Sequence, residues 1–310
     1  MSKKQDNFGR AARACHRATG VQYNRCWEWA QTGRISRRLP VPDARSPEQR
    51  RFEALIAHTL TDPLRDGQLD GAVLGFQGAL PDGDRLTLSL HPTMANVVVA
   101  ALLPRFDAFY GGIRGVPGLR LERRHGAWAL VDATSSAVVC LRHADPGWQP
   151  SLPGRDRGIT RIWADAPTRL SRPEGDELAE WVSDGRTRPR AAARDLLFSR
   201  VLRRPLLINT AARSHGWANT YTHHTHDIVI EWCCGVPATD VADALRRSGM
   251  TAEREGVDSS PSGHREPHPE RIDLGDASIV LRCLRASWCR GETGELGLAA
   301  VATEIRRRYE

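Results

Sequence analysis

Three of the chain's 11 histidines, His223, His224 and His226, fall within the stretch Thr222–Asp227, which reads THHTHD. Imidazole is the commonest protein ligand for transition metals, and a catalytic zinc ion takes three protein ligands and keeps a fourth position open. On a strand, His224 and His226 share one face because side chains alternate. His223, His215 or Asp227 would complete the set. The chemistry would be metal-dependent, with zinc as cofactor and a phosphate-containing substrate. Against this, neighbouring residues of one turn rarely converge on one ion, and no second signature such as HExxH is present. An exposed turn with no role is the simpler reading, and a contact to an anionic ligand is a further alternative. His264 and His268 lie in PSGHREPHPE, a stretch that reads as a solvated loop.

The seven cysteines include no CxxC pair, which argues against a zinc ribbon or a thioredoxin-like centre. Cys233-Cys234 follows an apolar strand and precedes a helix, a corner where a helix N-terminus favours a thiolate. Buried free thiols are the simpler reading. The glycine-rich YGGIRGVPG (Tyr110–Gly118) follows a helix rather than opening one, so it reads as a turn and not a phosphate loop. No GxSxG is present.

The N-terminal segment Phe8–Gly33 reads as two short helices joined at Gly20, with Gly33 ending the second. TGVQYNRCWEWA (Thr19–Ala30) resembles the helix-turn-helix family over residues 8–33. That resemblance implies duplex DNA as partner, with Gln22, Asn24 and Arg25 at base edges. Arg34, Arg37 and Arg38 in the following linker would meet phosphates, although a solvated basic linker would look the same. His16 near the turn, and the bulk of Trp27 and Trp29, depart from the family pattern. The pair is also similar to part of a ubiquitin-associated three-helix domain, which implies a protein partner instead.

Charge agrees with a polyanionic partner: the net charge is +7 and the pI about 9.3. Lys3 and Lys4 are the only lysines, so an arginine-rich codon bias explains part of it. The longest mostly apolar stretch, Ala95–Pro104, is too short to span a bilayer, and no apolar region follows the charged N-terminus. A cytoplasmic protein with no membrane partner is expected.

The elements that would carry these residues follow an order that recurs. Pro47–Leu60 has an apolar helical face, GAVLGFQGAL and RLTLSL flank the hairpin turn Pro81–Asp84, and a helix through Pro104 follows. LRLERR, AWALVD and AVVCLRH read as strands. In the second half, Arg188–Pro205, DIVIEW and VPATDVADALRRSGM repeat helix, strand and helix at an offset of 142, and the Cys-Leu-Arg of Cys140 recurs at Cys283. The offset puts THHTHD on the hairpin tip. The expected fold is α+β, with a helical module and basic linker (1–45), one α-β-β-α-β-β unit (46–145), a connection (146–187) and a second unit with a C-terminal helix (188–310). The leading functional expectation is a DNA-binding or regulatory protein whose duplicated body binds a ligand or partner. The alternatives are the zinc-dependent enzyme and a protein-interaction scaffold without catalysis.

Overall fold

The computed structural model describes residues 3–61, 72–109, 111–154, 158–165, 169–184, 188–212, 218–233, 236–251 and 269–284. The chain is α+β. Helices α1 (Lys3–Thr19) and α2 (Tyr23–Gln31) turn at Gly20, whose φ of 79° lies where an L side chain is strained. Thr19 locks that turn: its hydroxyl donates to the Cys15 carbonyl (2.7 Å) and accepts from the Val21 N–H (3.1 Å). Ala11, Ala12, Cys15, Cys26, Trp29 and Ala30 form a small core between the two helices.

Helix α3 (Pro47–Thr61) buries Phe52, Leu55, Ile56 and Leu60, as its spacing predicts. The hairpin β1 (Phe76–Asp82) and β2 (Arg85–Leu90) turns at Gly83, with Asp82 opposite Arg85. Helix α4 (Ala95–Leu102) then stops short of its expected length. Leu103 is extended (ψ 124°), the conformation that a following proline imposes, and the chain leaves Pro104 as strand β3 (Arg105–Asp107). After β4 (Gly112–Arg114), the expected strands β5 (Leu119–Arg124), β6 (Ala127–Asp132) and β7 (Val138–Arg142) follow. Their sheet runs β1-β2-β7-β6-β5, with β2 and β7 parallel.

Residues 146–187 do more than connect. β8 (Ile159–Arg161) joins β3 and β4 in a third, antiparallel sheet, and α5 (Ile162–Asp165) leads to α6 (Arg172–Asp184). Trp181 of α6 enters the main core. A capping box starts α6: Ser171 and Glu174 bond each other's backbone N–H. The Glu174 carboxylate, fully buried, also accepts from the Gly118 N–H (2.9 Å) and the Arg120 guanidinium (2.8 Å). Burial alone would raise its pKa, but these hydrogen bonds outweigh burial and hold the carboxyl below the ordinary glutamate range. A depressed acid contributes stability above its unfolded pKa and loses it as pH falls through the folded one. Urea midpoints should therefore drop as pH falls below about 4.5, and drop less steeply in Glu174→Gln.

The second half comprises α7 (Arg188–Leu202), α8 (Pro205–Ala212), β9 (Ala218–His224), β10 (Asp227–Cys233), α9 (Ala238–Arg247), β11 (Glu270–Leu274) and β12 (Ala277–Leu284). Its sheet runs β9-β10-β12-β11, with β10 and β12 parallel. Helices α3 and α7 pack together, and one continuous core includes residues of both halves. Among the described residues no helix is long and apolar enough to cross a membrane. The expected C-terminal helix lies outside the described residues.

Candidate functional site

Helix α2 turns Cys26, Trp29 and Ala30 inward and leaves Gln22, Asn24 and Arg25 exposed. Arg25 and Arg34 both lie over the Trp29 ring, at 5.5 and 4.9 Å from its centroid. Arg34 also forms an ion pair with Asp82 at the β1–β2 tip. Arg37 and Arg38 are exposed in the turn after α2. His16, bulky for a helix-turn-helix turn, does not enter the core; it is exposed, and its Nδ1–H donates to the Val21 carbonyl at 2.8 Å.

The turn between α1 and α2 faces the β1–β2–β7 sheet across a cleft of about 700 Å3. Gln22 and Arg25 line one wall; Gln77, Ser89, Arg142 and His143 line the other. Among the described residues, no Asp or Glu lines it. Arg142 donates to the Ser89 hydroxyl (2.8 and 3.2 Å). Neither Arg25 nor Arg142 forms an ion pair among the described residues. His143 Nδ1 accepts the Asp145 N–H at 3.1 Å, so the proton of a neutral ring sits on Nε2, which is buried with no hydrogen-bond partner. The cleft thus offers donors and cationic charge with no carboxylate among its described lining, a set of groups suited to an oxyanion.

The surrounding charge is as one-sided. Residues 1–45 hold ten Lys and Arg against three Asp and Glu, a net charge of +7 equal to that of all 310 residues. The other 265 residues balance.

The second sheet handles the equivalent register position differently. Ser89 of β2 lies beside Arg142 of β7; Glu231 of β10 lies beside Arg282 of β12. Glu231, nearly buried, accepts from Arg282 (2.9 Å), the Tyr221 hydroxyl (2.6 Å) and Asn219 (3.5 Å). Arg282 is therefore neutralised within its own sheet. Opposite Ser89 stands Gly78, where Asn219 stands opposite Glu231. Small residues in the first sheet open the space that larger ones occupy in the second.

The histidine stretch forms the β9–β10 tip. His224 ends β9 opposite Asp227, and Thr225-His226 make the turn, so His224 and His226 do not sit two apart on one strand. His226 Nε2 accepts from Arg190 Nη2 at 3.1 Å and faces a central cavity of about 950 Å3. The side chains of His223 and His224, along with His215, His264, His268 and Cys234, lie outside the described residues. Among the described residues, no three His, Cys, Asp or Glu side chains could hold a metal ion. The free thiols of Cys15, Cys26 and Cys283 are buried.

Gln22 and Arg25 are thus brought together with groups that sequence reading missed: Gln77, Ser89, Arg142 and His143. The missed signal was the outward polar positions on otherwise apolar strands, and the segregation of charge into the first 45 residues. No family model, curated protein or solved structure matches the chain.

Proposed function

We propose that this protein binds a nucleic acid through its N-terminal helical module, with the arginine cleft gripping backbone phosphate. One observation supports the reading: the segment bearing the whole net charge walls a cleft lined by Arg25, Arg142 and His143 and, among the described residues, by no carboxylate. Phosphate contacts supply most sequence-independent affinity, and guanidinium groups suit phosphate oxygens. Gln22 and Asn24 stand exposed on the first turn of α2, where base contacts would follow.

We further infer that the body is an internal duplication. The strand order and senses of β1-β2-β7-β6 and β9-β10-β12-β11 agree, and the hairpin pairs Asp82–Arg85 and His224–Asp227 differ by 142 residues at both members. One detail of the sequence alignment shifts. Thr87 pairs with Cys140, and Val229, 142 residues on, pairs with Val280. The counterpart of Cys140 is therefore Val280, not Cys283. On this reading the second copy retains an internally paired arginine where the first copy presents a free one.

The test uses the full chain and a fluorescein-labelled duplex or its single strand, read by anisotropy. Binding should weaken steeply with salt, and Arg25→Ala with Arg142→Ala should lower the log–log salt slope by about two. Ser89→Glu should give Arg142 the partner that Arg282 has, and cut affinity by about tenfold or more without lowering the melting temperature. No binding of either probe at about 50 mM salt would sink the proposal.

A further inference from the structure

A second cavity lies away from the arginine cleft, between α3, the β3–β4 hairpin, α6 and the β9–β10 tip. At about 950 Å3 it is at the upper end of the range for small-molecule sites. Its lining carries both signs of charge: Arg105, Arg114 and Arg190 with Glu177 and Glu180. Arg105 leaves β3 half-buried; it forms no ion pair among the described residues, and its Nε is buried with no hydrogen-bond acceptor. Glu177 and Glu180, three residues apart on one face of α6, line the same cavity and are exposed. Burial and then the Glu180 charge push the Glu177 carboxyl above its ordinary range, and neither glutamate forms an ion pair among the described residues. Apolar Leu55, Ile113 and Trp181 share the rest of the wall with threonines, among them Thr59 and Thr222.

We propose that this cavity binds a small zwitterion with an apolar body, an amino acid or short peptide. Its carboxylate meets the Arg105 guanidinium, and its ammonium meets Glu177 and Glu180. A simple anion would satisfy Arg105 and leave the acidic pair bare; a simple cation would do the reverse. The size of the cavity favours a peptide of a few residues over a single amino acid. This inference is independent of the nucleic-acid reading, because it rests on different residues and a different cavity.

Titration calorimetry of the full chain with leucyl-glycyl-leucine tests it. Saturable binding is expected, weakened by about tenfold or more when the peptide is N-acetylated, and likewise when it is C-amidated. In Arg105→Gln, the free and amidated peptides should bind alike while the penalty for acetylation persists. In Glu177→Gln, the penalty for acetylation should shrink and that for amidation persist. A variant that merely misfolds would lose both preferences together, and Arg105→Lys, which keeps the charge, should retain most of the binding. No saturable heat at millimolar peptide, or equal binding of free and doubly capped peptide, would overturn the proposal. So would inorganic phosphate displacing the peptide with no dependence on Glu177.

Discussion

Replacing Glu53 by alanine is expected to destabilise the protein by about 3–5 kcal/mol, the range found when one partner of a buried ion pair is removed. Glu53 of α3 and Arg203, just beyond α7, are both fully buried. Their two hydrogen bonds measure 2.6 and 2.7 Å. Ser199 and Gln49 donate to the same carboxylate at 2.6 and 2.9 Å. Arg203 also donates to the carbonyls of Pro42 (2.8 Å) and Gly83 (2.9 Å). One group thus ties together the basic linker, the first hairpin tip and the two central helices. With Glu53 gone, the guanidinium keeps its desolvation cost and loses its countercharge. The urea midpoint should fall in proportion, with little change in slope. Glu53→Leu combined with Arg203→Met should recover much of the loss, because the lone charge is then absent. Equal stability of wild type and Glu53→Ala would show that the pair contributes nothing beyond its own burial.

Gly115→Ala carries the second large effect. Gly115 has φ of 89°, and a β-carbon there would lie 2.4 Å from the Leu103 carbonyl oxygen and 2.9 Å from that of Leu102. Both obstacles are backbone, so no rotamer change relieves them. The adjacent Val116 N–H donates to the Leu102 carbonyl at 2.9 Å, which holds the two segments close. A left-handed backbone position and a steric clash both oppose the methyl group, and the cost should reach about 2–4 kcal/mol. Thermal denaturation beside Gly111→Ala, which has positive φ but open space, separates clash from backbone strain.

The long elements were readable because their patterns are strong. The face of α3 repeats Phe52, Leu55, Ile56 and Leu60 at helical spacing, and the Asp-Gly at 82–83 dictates a hairpin. The β3–β4–β8 sheet escaped because three-residue strands are too short to show a period, and because Val97 to Leu103 is apolar enough to suggest that its helix continues through Pro104. The site was half legible. Gln22 and Arg25 come from the helix-turn-helix resemblance, and α2 leaves them exposed while sending Cys26 and Trp29 inward. Arg142 and His143 end a strand that reads as ordinary, and only tertiary packing sets them against α2. The offset that located the histidine tip came from sequence alone, but the register of β12 depends on ladder hydrogen bonds that no side-chain pattern encodes.

The packing of α3 on α7 has a consequence for synthesis. Glu53 and Arg203 are 150 residues apart in sequence, and Asn209 accepts the Val73 N–H from 136 residues away. During translation, α3 leaves the ribosome well before α7 exists. At the usual elongation rates, the intervening residues take roughly ten to thirty seconds to make. Through that interval Phe52 and Ile56 lack part of their final cover, and the Glu53 carboxylate lacks its guanidinium. The nascent first half is therefore the species most exposed to misassembly, and chaperones or a slow translational pause before residue 188 would act on it rather than on the finished protein.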